Sequence, residues 1–211
     1  MPLSKLSKAR SQEGGAAYIP PLSVSAPTLL RAGSDRAFQK LIFDLFTISA
    51  RIERVRVHFA SRLGISGPQY SLLRAVAALQ SEDGVSVGVV AKHLHVTSTF
   101  ITTQSRVLGE RGFLRKRDDP ADRRVSRLSL TPKGERLVDE IVKGVRPIND
   151  VFFGRLRDGE FDTLAAIIEK LVESSRKAMI KVSSETEEAL LSNRAMRGSG
   201  SETRTAGRGR S

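Results

Sequence analysis

The 211-residue chain contains no cysteine and no tryptophan. Without cysteine there can be no disulfide framework, no thiolate metal site and no thiol redox switch. Long hydrophobic runs are missing too. The longest aliphatic stretches, such as Leu164 to Ile168, reach about five residues, against the roughly 18 that suggest a membrane span. Acidic residues are under-represented, with 23 Asp+Glu against 35 Lys+Arg and a net charge of +12. These deficits predict a cytosolic protein with a polyanionic partner, nucleic acid first.

Catalytic and metal-binding patterns are also lacking. No glycine-rich phosphate loop, Ser/His/Asp order or carboxylate pair at a helical spacing with catalytic partners stands out. The expectation is a protein that is not an enzyme and carries no cofactor. His93 and His95 sit two residues apart, on opposite sides of a helix, and His58 stands alone, so no metal site is expected.

The charge is unevenly spread. Residues 1–33 hold Lys5, Lys8, Arg10 and Arg31 against Glu13, and residues 181–211 carry a net of +2, which leaves +7 for residues 34–180. Residues 1–33 lack sustained periodicity and are rich in Ser, Gly, Pro and Ala, so they read as a flexible extension. Residues 181–211 end in Gly, Ser and Arg and read as a flexible tail.

Between these ends the signals are mostly helical. Ser34 and Asp35 stand where a helix can be capped. Phe38, Leu41, Ile42, Leu45, Ile48, Ile52, Val55 and Phe59 then recur at three- and four-residue steps. Phe43, Phe46 and Val57 widen that stripe beyond what one packing partner requires, which suggests a second subunit. Gly64 supplies the stop. Ser66-Gly-Pro-Gln69 is a capping box with proline in the first turn, opening a helix to about Gln80. A short helix at about Val87–Leu94, a turn, and a polar-faced helix from Ser98 to Arg111 form a helix-turn-helix.

Two strand-like runs, Phe113–Arg117 and Val125–Leu130, flank the Pro/Asp turn Asp118–Arg124 and make a hairpin with a basic tip. Thr131-Pro132 opens the next helix, to about Leu156, which Pro147 should kink. Asp158 can cap a last helix bearing Phe161, Leu164, Ile167, Ile168, Leu171 and Val172. The fold class predicted is mainly α with a small β-hairpin wing: a winged helix-turn-helix plus a helical dimerisation region.

Recognition helices need short polar side chains on one face so that the backbone can approach the major-groove floor. Ser98, Thr99, Thr102, Thr103 and Arg106 form such a face, while Ile101 and Leu108 point inward. A merely solvated helix would carry Lys and Glu here, and they are nearly absent before Glu110. The wing offers Arg115, Lys116, Arg117, Arg123, Arg124 and Arg127, and an arginine-bearing tip suits the negative potential of a narrow minor groove.

The segments ISGPQYSLLRAV, VGVVAKHLHVTSTFITTQSRVLGERGFLRK and above all DDPADRRVSRLSLTPKGERL resemble the MarR (multiple antibiotic resistance regulator) family. The resemblance covers residues 34–180 and implies a winged helix-turn-helix at about 66–131, with dimerisation helices at about 34–63 and 132–180. It further implies a homodimer on palindromic double-stranded DNA, nucleoid-associated in the cytoplasm of a bacterial or archaeal cell. It assigns the minor-groove contact to Arg124 and a steadying role to Asp122. It also implies a ligand cleft, here His58, Tyr70 and Arg74, taking a small aromatic or phenolic compound that releases a repressor. Two positions depart from the family's habit, which often has arginine at Thr103 and an acidic residue at Arg106, so base preference does not carry over. The alternative expectation is an architectural DNA-coating protein with no operator and no ligand.

Overall fold

Local capping chemistry sets the boundaries of most elements. The computed structural model describes the backbone of residues 18–199 and the side chains of residues 18–186; the rest of the two expected tails lies outside these. In order, the elements are α1 (Arg36–Arg62), α2 (Gly67–Leu79), β1 (Val85–Ser86), α3 (Val87–Leu94), α4 (Ser98–Glu110), β2 (Leu114–Asp118), β3 (Ser126–Leu130), α5 (Pro132–Phe153) and α6 (Glu160–Ser199). The class is mainly α with a small antiparallel sheet, as predicted.

Helix α2 starts on the expected capping box. Ser66 Oγ accepts from Gln69 N–H at 3.3 Å, and the Gln69 side chain accepts from Ser66 N–H at 3.1 Å. Thr131 caps α5 by accepting from Gly134 N–H at 3.1 Å. Gly64 and Gly112, at φ of 64° and 73°, end α1 and α4 in the left-handed region that glycine enters without a Cβ penalty. Pro147 lies inside α5, where its nitrogen has no hydrogen to donate back along the helix.

Helix α1 begins where predicted, with Ser34 Oγ accepting from Arg36 N–H at 3.3 Å, but Asp35 plays another part than a side-chain cap. Asp35 is the N-cap residue, but its carboxylate makes no capping bond to the helix. It turns to the preceding segment, accepting from both the backbone N–H (2.7 Å) and the hydroxyl of Ser23, and from Gln39 Nε2 (3.0 Å). These donors, the Ser23 hydroxyl first, hold the Asp35 pKa down at about 2, from an ordinary value of 3.8. A depressed carboxylate adds stability above its unfolded pKa and loses it as pH falls through the folded one. Asp35→Asn is therefore expected to melt below the parent protein at neutral pH. The gap should close as pH falls from 3.8 to about 2, followed by thermal melts across that range. A gap independent of pH would assign the loss to hydrogen-bond geometry instead of charge.

The chain divides into two compact units at Val145/Arg146, within α5. In the first, α2, α3, α4 and the sheet enclose a core in which Leu72, Leu73, Val76, Val90, Ile101, Leu108, Leu128 and Ile141 are fully buried. Each such side chain contributes roughly 1.5–3 kcal/mol of burial free energy. The sheet has three strands in the order β1-β3-β2, both pairings antiparallel. The hairpin was expected; β1 was not. Val85 pairs with Leu128 and Ser86 with Arg127, which gives the wing a third strand of only two residues.

The second unit holds the end of α5 and all of α6. Glu160 opens α6, its carboxylate accepting from Arg157 N–H at 2.9 Å and from the Arg157 guanidinium. Helix α6 continues through residues 181–199, where a tail was expected. Its apolar stripe fades there, but Lys, Glu, Ala and Leu keep the helical propensity high. The hydroxyls of Ser183, Ser184 and Thr186 bond back to carbonyls one turn earlier.

Candidate nucleic-acid interface

The turn between α3 and α4 is fixed by short polar residues. His95 takes a left-handed conformation (φ 55°) at the α3 C-cap, and Thr97 Oγ1 accepts from Phe100 N–H to start α4. Ile101 and Leu108 are fully buried, which anchors one side of α4 and turns the opposite side outward. Ser98, Thr99, Thr102, Thr103 and Arg106 are all exposed, so the face read from the sequence exists as one surface. Ser105 lies at the inner edge of that surface, buried, with its hydroxyl bonded to Thr102 O at 3.0 Å.

The hydroxyls of Thr102 and Thr103 donate to Ser98 O and Thr99 O at 2.9 and 3.1 Å. Their hydrogens are thus committed to the helix, and they present an acceptor oxygen and a methyl group outward. Arg106 pairs with Glu110 one turn on, at 2.6 Å, with both side chains mostly exposed. Between α4 and the sheet lies a depression of about 300 Å³ floored by Leu114 and Leu128 and edged by Arg106 and Lys116.

On β2, Arg115 pairs with Ser129 and Arg117 with Arg127, while Lys116 lies across from Leu128. Strand alternation therefore puts Arg115 and Arg117 on one face of the wing and Lys116 on the other, beside Leu114. At the tip, the Asp122 carboxylate accepts from Arg124 Nε, Nη2 and backbone N–H, at 3.0, 3.1 and 3.0 Å. The bond from the Arg124 side chain keeps Asp122 below the usual carboxylate range and raises Arg124, so both stay charged. The Arg124 side chain is 90% exposed, and Arg123 beside it is exposed too.

Arg127 behaves otherwise. Counted by sequence among the free wing cations, it is turned inward, with Nε on Asp119 Oδ2 and Nη1 on Gly84 O at 3.2 Å. Its charge looks like any other in the sequence, and only the fold reveals the commitment. In the ligand-cleft set, Tyr70 and Arg74 stand one turn apart on α2. Partial burial raises the Tyr70 pKa, against the charges of Arg74 and Arg56. His58 is exposed on α1, its ring edge-on to Phe59 at 5.1 Å.

A helix-turn-helix followed by a β-wing, with small polar residues on the outer helix and an exposed arginine at the wing tip, defines a winged helix-turn-helix protein. Residues 65–126 match the MarR family model. The chain is 21% identical over 141 residues to the HTH-type transcriptional repressor MdtR of Bacillus subtilis (strain 168), a match covering 66% of this chain and 91% of that protein. Two solved structures share the fold. CouR of Rhodococcus jostii RHA1, bound to p-coumaroyl-CoA, has a TM-score of 0.56 at 21% identity, covering 62% of this chain and 90% of that one. The MepR–DNA complex of S. aureus has a TM-score of 0.54 at 20% identity, covering 63% and 96%. Over residues 65–126 the winged helix-turn-helix of this chain is thus similar to the MarR family.

Proposed function

We propose that the protein is a sequence-specific DNA-binding transcriptional regulator, acting as a homodimeric repressor on a palindromic operator in the cytoplasm. The observation that carries this reading is the exposed face of α4, four short hydroxyl side chains and Arg106, with Glu110 the one acidic side chain paired to it, in one compact unit with the Arg124 tip. In the major groove, the outward oxygens of Thr102 and Thr103 accept from adenine or cytosine amino groups, and their methyls meet thymine methyls. Ser98, Thr99 and Arg106 complete that contact. Arg124, aimed by Asp122, enters the minor groove, while Arg115, Arg117 and Arg123 meet phosphates.

Release by a small aromatic or phenolic acid belongs to the same reading. In this reading the Tyr70 phenol with Arg74 one turn away, and His58 on α1, are the polar groups that meet the ligand, and the similar fold of CouR was solved bound to p-coumaroyl-CoA. Such a ligand must bind one lobe spacing better than the other to shift the population.

The test is a gel-shift titration on the protein's own promoter fragment against random DNA. The regulator should prefer the promoter by orders of magnitude. Equal affinity for both would establish an architectural DNA-coating protein instead. In the same assay Arg124→Ala should weaken promoter binding about 5- to 140-fold, the span of one specific groove contact of about 1–3 kcal/mol. Its melting temperature should stay at the parent value, since among the described residues the side chain bonds only to Asp122 and is 90% exposed. Undiminished affinity would remove the wing from the interface.

A further inference from the structure

The wing carries two ion pairs of different character. Arg124–Asp122 sits at the tip with the arginine 90% exposed, whereas Arg127–Asp119 is withdrawn, its side chains 30% and 12% exposed. Asp119 Oδ1 accepts from the backbone N–H of Ala121 (2.8 Å) and Asp122 (3.2 Å), and Oδ2 accepts from Arg127. Two backbone bonds close the same loop, Asp119 N–H to Val125 O and Val125 N–H to Asp122 O, both at 2.8 Å. On its other side, Arg127 reaches Gly84 O, 43 residues away in sequence, in the turn that leads into β1.

The bonds form an unbroken chain: the turn at Gly84, Arg127 on β3, the Asp119 carboxylate, the amides of the tip loop, Asp122, and finally Arg124. We propose that Arg127 is a positioning residue for DNA recognition. With Asp119, it locks the loop 119–125 to the turn at Gly84, so that the tip arginine is held in place before DNA arrives, and it does not itself touch DNA. This rests on the reading of Arg124 as the minor-groove contact. A guanidinium suits the task because its planar fork meets a carboxylate and a carbonyl in two directions at once, which a lysine ammonium on a flexible stem cannot reproduce. A tip ordered in advance loses less conformational freedom on binding.

A double-mutant cycle on operator affinity in the full-length protein decides this. Arg127→Ala should weaken binding about tenfold in the parent protein, and less than about twofold once Arg124→Ala has removed the side chain it places. Arg127→Lys should resemble Arg127→Ala, and amide exchange at Ala121 and Asp122 should quicken in both. A direct phosphate contact would instead give additive losses, rescue by lysine, and a salt slope shallower by about one. A general folding defect would also act equally in both backgrounds. Either result overturns the proposal. Asp119→Asn keeps the side-chain shape and supplies the same cycle if Arg127→Ala does not fold. If Arg124→Ala alone leaves affinity unchanged, the wing reading falls and the inference with it. If Arg124→Ala weakens binding and Arg127→Ala does not, only the inference falls.

Discussion

Gly134→Ala is expected to lower the melting temperature by about 10 °C, a large cost for a single added methyl group, at roughly 2–4 °C per kcal/mol for a chain of this size. Gly134 is buried in the first turn of α5, where a Cβ would lie 2.1 Å from Phe113 O and 3.2 Å from Leu130 Cδ2. Real Cβ atoms do not come that close to a carbonyl oxygen, so the backbone at Phe113 or the start of α5 must move. That carbonyl is already engaged: Thr131 N–H donates to it at 3.1 Å, and the Thr131 hydroxyl, which donates to the neighbouring Gly112 O at 2.6 Å, lies 3.3 Å from it. Retreat therefore strains the join between the wing and α5 as well as the local packing. The cost should reach the upper end of the overpacking range, about 3 kcal/mol. Calorimetry of the two proteins checks it. A shift of less than about 3 °C would mean that the residue-113 backbone yields freely, because 1 kcal/mol corresponds to roughly that much.

What the sequence discloses and what it hides divide along a physical line. Helices α2, α3 and α4 are legible because their signals lie within one turn of each boundary: Ser66 with Gln69, Thr97, and Gly112 after the last turn. The outer face of α4 is legible for the same reason, since Ile101 and Leu108 fix which side is inward. Strand β1 is not, because two residues show no period. The partner of Asp35 escapes because Ser23 lies 12 residues away along an aperiodic segment. Arg127 escapes because it binds a carboxylate eight residues back and a carbonyl 43 residues back, and nothing in a run of arginines marks the one that turns inward. The continuation of α6 beyond residue 180 depends on intrinsic propensity without a stripe, which is the weakest helix signal a sequence can carry.

The pair Phe43→Glu and Phe46→Glu is expected to convert the protein from dimer to monomer and to collapse operator binding. Helix α1 is apolar on more than one side. Phe59 and Ala60 turn toward the core of their own unit, whereas Phe43 and Phe46 are each 65% exposed and Val57 48%. Phe43 and Phe46 lie one helical turn apart, and Val57 continues the same side further along, so these are neighbours on one surface. A twofold interface uses each residue twice, so two substitutions remove four phenylalanines and bring four carboxylates together. Burying a phenylalanine is worth roughly 1.5–3 kcal/mol, so even partial loss across four sites exceeds about 3 kcal/mol, more than a hundredfold in dissociation constant. An operator of two half-sites engages the dimer's two recognition helices together, and a monomer offers one. Sedimentation velocity at micromolar concentration should show the parent as a dimer and the variant as a monomer. Far-UV circular dichroism should be little changed, because these rings fill no core. A parent protein that sediments as a monomer would overturn the dimer. A variant that still sediments as one would place the interface on another surface.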